Sequence, residues 1–119
     1  MPCSGILLAP LASAEKRRVF DQARSGQVEV VVPAIVLAEL IWIIQKGGLD
    51  VQLERVLATV QKHYTITPLE PVDVFRLPDL PLIPEMHDRP IVAETQRRNA
   101  ILITRDEAIT DSALVAVLW

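Results

Sequence analysis

The 119-residue chain has few aromatic residues and a single cysteine. Aromatic side chains make up 4% of it, which predicts a core built from aliphatic residues. One cysteine excludes a disulfide framework and a zinc site made of cysteines, and it fits a protein of the reducing cytoplasm. A Gly-rich phosphate-binding loop is also missing, which disfavours a nucleotide-binding or receiver-like domain.

An excess of positive charge is absent as well. The net charge of −3 argues against binding nucleic acid through bulk positive charge. Residues 30–44 are apolar apart from Pro33 and Glu39. As a helix this run would span about 22 Å, short of the roughly 30 Å hydrocarbon core of a bilayer, so it predicts a buried helix and no membrane anchor. Residues 5–14 resemble a minimal signal sequence, but their apolar part is short and no basic residue precedes it.

Half of the residues are apolar, which is typical of one globular domain over residues 1–119. Helical patterns and β-branched runs alternate along the chain, and this alternation predicts an α/β fold with a parallel sheet covered on both faces. We expect strands at residues 28–32, 64–67, 100–103 and 114–118. We expect helices at residues 14–25, 33–46, 49–63 and 87–98, a helical turn at 106–109, and one brief helix near 72–77 in a proline-rich connector.

Three acidic residues stand in special settings. Asp88 opens a helix, Asp106 follows a strand, and Glu39 is the one charged residue in an apolar run, where we expect it to be buried. The carboxyl ends of parallel strands meet at one edge of a sheet, so the fold can bring all three together. Carboxylates are ligands of Mg²⁺ and Mn²⁺, and such a cation can activate water for attack on a phosphodiester. Their convergence should also raise at least one carboxyl pKa.

Structural roles compete with this interpretation. Asp88 could cap its own helix, and residues 104–107 match a capping box with Thr104 as the cap and Glu107 as its partner. Glu39 could form a buried pair with an arginine. Arg89 and Arg105 stand beside the aspartates and could be their structural partners. His87 could act as an acid or base, although a histidine at a helix start is more often a hydrogen-bonded anchor.

Several motifs together resemble the PIN domain family, in particular VapC-like ribonuclease toxins. They are residues 83–93 (IPEMHDRPIVA), residues 102–107 (LITRDE), the ending 117–119 (VLW), and residues 32–34 (VPA) followed by 37–40 (LAEL). The resemblance implies a three-layer α/β/α sandwich with a central parallel sheet and Mg²⁺- or Mn²⁺-dependent cleavage of single-stranded RNA. It also implies a homodimer, a cognate VapB-like antitoxin, and Glu39, Asp88 and Asp106 as metal ligands with Thr104 beside them.

Two features depart from the family pattern. The family begins with a strand that ends in an essential aspartate, whereas here residues 6–8 would form that strand and Ala9 would take the aspartate's place. Alternatively, the chain begins late and the first strand is missing. Glu94 stands where a small or hydroxyl residue is usual. We therefore expect a VapC-like ribonuclease with impaired activity, and the alternative is a noncatalytic PIN-like module that binds an antitoxin or RNA.

Overall fold

Short strands form one parallel sheet in the computed structural model, which describes residues 5–7, 21, 25, 29–104 and 106–118. The strands are β1 (Gly5–Leu7), β2 (Val30–Pro33), β3 (Thr65–Thr67), β4 (Ile101–Ile103) and β5 (Ala116–Leu118). Their order in the sheet is β3-β2-β1-β4-β5, and every neighbouring pair is parallel. The α/β fold with a central parallel sheet is confirmed.

The first strand lies in the middle of this sheet. Gly5 is in register with Val30 of β2 on one side and with Ile101 of β4 on the other. After β2 the chain builds the sheet outward through β3, whereas β4 and β5 lie on the opposite side of β1. The strand order therefore reverses between β1 and β4, and in open α/β sheets such a reversal opens a crevice at the carboxyl ends of the two strands.

Most of the described helices begin and end within a few residues of their predicted bounds. They are α1 (Ala34–Gln45), α2 (Leu53–His63), α3 (Pro71–Val74), α4 (Asp88–Arg98) and α5 (Glu107–Ser112). The connector between β3 and α4 also holds a 3-10 helix at Leu77–Asp79, so the prediction of one brief helix at 72–77 was wrong. Both short helices have a proline in the first turn. The backbone N–H group that proline lacks would have no partner within the helix at that position. The helix predicted at 14–25 lies outside the described residues except for Asp21 and Ser25.

Aliphatic side chains fill the core, as predicted. Buried valines of β2 pack with branched residues of α4, β4 and α5, among them Ile91, Leu102 and Ile109. Burial of one such side chain contributes roughly 1.5–3 kcal/mol to the free energy of folding. The buried face of α4 is thereby fixed against the sheet, which also fixes where its first residue, Asp88, lies.

Helix α1 is not buried as a whole, contrary to prediction. Only Val36 and Ile44 of this helix are buried, while Trp42 is 59% exposed and stacks beneath the Lys46 ammonium at 4.3 Å. A helix that packs on one sheet strand buries one stripe of side chains, whatever the character of the others. The described helices include none that is long and apolar enough to cross a bilayer.

Candidate metal centre

The candidate site lies at the edge of the sheet where the parallel strands end. Thr104 and Asp106 directly follow β4, next to the exit of β1. Glu39 lies in α1, the helix that leaves β2, and Asp88 is the first residue of α4. The Asp88 carboxyl feels the negative charges of both Asp106 and Glu39, so the fold brings the three predicted acids into one neighbourhood.

Asp88 has the most altered acidity of this group. Burial, together with the negative charges of Asp106, Glu39 and Glu85, raises the pKa of the Asp88 carboxyl from 3.8 to about 6, and His87 opposes the rise weakly. Desolvation and like charges both disfavour a carboxylate, which explains the direction of the change. The expectation that one of the three acids would have a raised pKa is confirmed. Glu85 was not among the predicted site residues, although its place three residues before Asp88 was a signal.

Asp106 and Thr104 form a turn with its own hydrogen bonds. The Asp106 Oδ1 accepts a hydrogen bond from the Ile109 backbone at 2.9 Å, which makes Asp106 the N-cap of α5. The Thr104 hydroxyl, only 3% exposed as a residue, accepts from the Asp106 backbone at 3.0 Å. The capping box with Thr104 as cap was wrong, because the helix begins two residues later than that motif requires. Thr104 instead orients the backbone of Asp106.

Glu39 is exposed, which corrects the expectation that it would be buried. The error arose because the apolar run around it was read as a sign of burial, whereas α1 turns only one stripe towards the core. A solvated carboxylate needs no arginine partner to be stable in this helix. Its charge still reaches Asp88, so exposure leaves Glu39 within the acidic neighbourhood.

The neighbouring basic residues do not take the roles considered for them. Arg89 donates hydrogen bonds to the carbonyl oxygens of Ile83 and Leu77 at 2.7 and 3.1 Å, so it is bound to the connector and not to a carboxylate. Arg105 lies outside the described residues. His87 occupies the N-cap position of α4, but its side chain makes no capping hydrogen bond. Asp88 is already the first residue of the helix, so neither side chain caps it.

Other acids of the connector and α4 have cationic partners. Arg97 binds Asp73 through two hydrogen bonds of 3.0 and 2.9 Å, and Asp73 is 1% exposed. The Asp73 hydrogen bond raises the pKa of Arg97 above its ordinary value. Glu94, 3% exposed, accepts at Oε2 from the Thr67 hydroxyl at 2.7 Å and from Arg98 Nε at 2.8 Å. Glu94 therefore joins α4 to the end of β3.

The donor atoms at the sheet edge are of the kind that a hard divalent cation binds. Carboxylates of Glu39, Asp88 and Asp106 offer oxygen ligands, and the mutual repulsion felt at Asp88 is relieved by a cation. Among the described side chains, however, no three of the Asp, Glu, His or Cys type are grouped closely enough to hold a metal ion. The oxygen atoms of these residues are of the kind that binds such an ion. The residues form a cluster of negative charge and not a complete coordination shell.

Comparison with known proteins agrees with the motifs. No curated protein sequence matches the chain. A chain in the crystal structure of VapBC2 from Rickettsia felis, bound to a DNA fragment from their promoter, has a similar fold with a TM-score of 0.72 at 17% identity, over 96% of both chains. The PIN domain family matches residues 4–113, nearly the whole sequence. The resemblance to PIN domains is thereby confirmed, and the chain belongs to the PIN domain family.

Proposed function

We propose that this chain is the VapC-type toxin of a toxin and antitoxin pair, and that its acidic site binds Mg²⁺ or Mn²⁺ and cleaves single-stranded RNA. One observation carries the proposal. Asp88 lies at the carboxyl edge of a PIN sheet, where burial first and then the charges of Asp106, Glu39 and Glu85 raise its pKa to about 6, and no salt bridge of the described part of the chain joins it to a cation. Acids kept together at this cost in stability point to a ligand with positive charge.

The residues that would hold the ion are Glu39, Asp88 and Asp106. When bound, a divalent cation supplies activated water and neutralises charge on the phosphoryl oxygens. Thr104 keeps the backbone of Asp106 in place through its hydroxyl group. Asp106 uses one lone pair of its Oδ1 to cap α5, and the remaining lone pairs of the carboxylate would be available to an ion.

The activity of the chain as it stands should be weak. Strand β1 ends at Leu7, and the first acidic residue of the sequence is Glu15, so the crevice beside β4 receives no carboxylate directly from the β1 exit. Ala9, the residue at the expected aspartate position, lies outside the described residues. Losing even a supporting partner of a metal site costs about 10–100-fold in affinity or activity, so a missing ligand should cost at least about that much.

The test is Mn²⁺-dependent cleavage of a labelled single-stranded RNA. Ala9→Asp should increase cleavage by at least about 10-fold, and Asp88→Asn added to it should remove the gain. Asp50→Asn is the matched control, because Asp50 is exposed and its charge is not among those that act on Asp88. Strong cleavage by the unmodified chain that persists in Asp88→Asn and Asp106→Asn would contradict both the site and the missing-acid account.

A noncatalytic binding module is the second candidate, and the absence of an acidic residue between Met1 and Ala14 favours it. Such a module would bind a VapB-like antitoxin or RNA without cutting. If Ala9→Asp remains inactive while the chain binds either one tightly, this second function replaces the first. A small antitoxin-like reading frame directly upstream of the gene would support both, since both need that partner.

We also propose that the chain acts as a single domain in the cytoplasm and forms a homodimer. Exposed apolar side chains support the dimer, chiefly the neighbouring Trp42 and Ile43 on α1. Contiguous apolar patches on a protein surface commonly mark contacts with other proteins. Light scattering should give a dimer mass at micromolar concentration, and a clean monomer mass would contradict the dimer.

A further inference from the structure

The connector before α4 is short of backbone donors. Prolines occupy positions 78, 81 and 84, and proline has no backbone N–H group. Leu80 and Ile83 of this segment are nevertheless buried against the core, at 2% and 0% exposure. Buried carbonyl oxygens need hydrogen-bond partners, and a segment with so few N–H groups cannot supply them all.

Arg89 donates to two carbonyl oxygens of the connector, of which the Leu77 oxygen also accepts from the Leu80 N–H group at 3.3 Å. Its Nε donates to the Ile83 carbonyl at 2.7 Å and its Nη1 donates to the Leu77 carbonyl at 3.1 Å. The guanidinium is planar, so its donors hold a fixed relative geometry that the single ammonium of lysine cannot reproduce. One side chain of the first turn of α4 thus binds two points of the connector, at Leu77 and Ile83.

This fastening acts directly on the segment that carries Asp88. Between Ile83 and Arg89 the chain makes a tight turn, in which the Asp88 N–H donates to the Glu85 carbonyl at 3.1 Å and the Arg89 N–H donates to the Met86 carbonyl at 3.3 Å. No side chain caps α4 at His87. The Arg89–Ile83 bond therefore joins the two ends of the turn that contains Asp88, and the Arg89–Leu77 bond ties that turn to the preceding 3-10 helix.

The same bonds hold the Arg89 guanidinium at carbonyl oxygens, so it forms no ion pair with the adjacent Asp88. An arginine adjacent to a half-buried aspartate could neutralise it, yet no ion pair joins Arg89 to Asp88 within the described residues, and the guanidinium is engaged with carbonyl oxygens instead. Asp88 remains available to another cation.

We propose that Arg89 is a positioning residue for the acidic site: it holds the connector so that Asp88 stays near Glu39 and Asp106, while its own guanidinium is bound to carbonyl oxygens. This inference rests on the proposed function, since it concerns the same ion. It assigns to Arg89 no contact with the ion or with RNA.

The experiment measures Mn²⁺ affinity by electron paramagnetic resonance of free Mn²⁺, with thermal unfolding of each variant recorded in parallel. Arg89→Lys keeps the charge but loses the fork, and it should weaken Mn²⁺ binding about 10-fold. Arg97→Lys is the matched control, because Arg97 also fastens α4 to the connector region, through Asp73, but at the far end of the helix. It should lower the melting temperature at least as much and change Mn²⁺ affinity less than about twofold.

Three results would overturn the inference. Arg89→Lys with unchanged Mn²⁺ affinity, beside an Asp88→Asn variant whose affinity falls, would remove the role of Arg89 and leave the proposed function intact. Equal weakening by Arg97→Lys would make both effects merely structural. Unchanged affinity in Asp88→Asn would overturn the proposed function as well. If Arg89→Lys does not fold, Arg89→Gln, which keeps a donor without charge, takes its place under the same criteria.

Discussion

Asp88, at the start of α4, and Glu94, six residues later, have opposite surroundings. Glu94 is almost fully buried and accepts hydrogen bonds from Thr67 and Arg98, and Asp73 in the adjacent α3 is bound in the same manner by Arg97. Asp88 is only half-buried, and this burial together with the charges of nearby acids raises its pKa. Structural carboxylates in this chain have partners of opposite charge, whereas the carboxylate of the candidate site has neighbours of like charge. Burial alone does not distinguish them.

The largest effect should come from taking the partner away from a compensated acid. Arg97→Ala leaves the Asp73 carboxylate at 1% exposure without a cation, which should cost about 3–5 kcal/mol in the free energy of unfolding. Urea denaturation measures this loss. In an Asp73→Asn background the same substitution should cost far less, because no buried charge remains. A loss below about 1 kcal/mol would show that Asp73 does not depend on Arg97.

A smaller loss should follow from removing one hydroxyl group. Thr67→Val deletes the 2.7 Å hydrogen bond to the buried Glu94 carboxylate, and bonds to charged groups contribute about 1.5–3 kcal/mol. Thr59→Val is the control, because the Thr59 hydroxyl donates to a backbone carbonyl on the exposed side of α2. Equal losses in the two variants, measured by denaturant unfolding, would mean that Glu94 is compensated by Arg98 alone.

Substitution of Asp88, whose neighbours carry like charge, should raise the stability of the chain where the preceding substitutions lower it. The pKa of Asp88 is higher in the folded chain than its ordinary 3.8, so the folded state binds more protons than the unfolded state between about pH 4 and 6. The free energy of unfolding therefore falls as pH rises through that range. A rise to about 6 corresponds to roughly 3 kcal/mol, which solvent screening at a half-buried side chain reduces to about 1–2 kcal/mol. Asp88→Asn should therefore stabilise the chain by about 1–2 kcal/mol at pH 8.

At pH 4 the same substitution should leave the stability nearly unchanged, since the wild-type carboxyl is then protonated in the folded chain. Adding Mn²⁺ at pH 8 should raise the melting temperature of the wild-type chain and not that of Asp88→Asn. A variant that is equally stabilised at both pH values would show that charge is not the cause.

Asp106 should give the smallest effect on stability, and it combines both kinds of surroundings. Asp106→Ala removes the N-cap of α5 and should cost about 1 kcal/mol, whereas Asp106→Asn keeps a capping oxygen and should be nearly neutral in stability. Both variants should weaken Mn²⁺ binding, because both remove the charge. Thermal unfolding and Mn²⁺ titration together separate the two roles, and full Mn²⁺ affinity in Asp106→Asn would exclude this residue from the site.

Much of the fold could be predicted because it rests on local patterns. The β-branched runs gave β2, β3, β4 and β5 to within two residues at each end, and proline and glycine marked the helix ends. That Glu39 and Asp106 lie near enough to Asp88 to act on its charge agrees with a parallel sheet whose strand ends meet at one edge, whereas their joint role as metal ligands stays a prediction. The burial of Glu39 was wrong because hydrophobicity along a helix does not say how much of its circumference packs.

The partners of charged side chains could not be predicted from sequence neighbours. Arg89 stands next to Asp88, yet it binds carbonyl oxygens at 77 and 83, and the acid bound by Arg97 is 24 residues away. Such pairs depend on how α4 lies against the connector, which only the packed core determines. Glu94 was noticed as an unusual residue, but its partner Thr67 lies 27 residues earlier, across the end of β3.

The central place of β1 has a consequence for the order in which the chain folds. Gly5 pairs with Ile101, so the contact that closes the crevice joins residues 96 positions apart. Contacts of such separation form late, because the intervening chain must lose much of its conformational freedom first. During synthesis β1 and β2 are made before β4. A nascent chain that has not yet extended through β4 and Asp106 therefore has no assembled acidic neighbourhood.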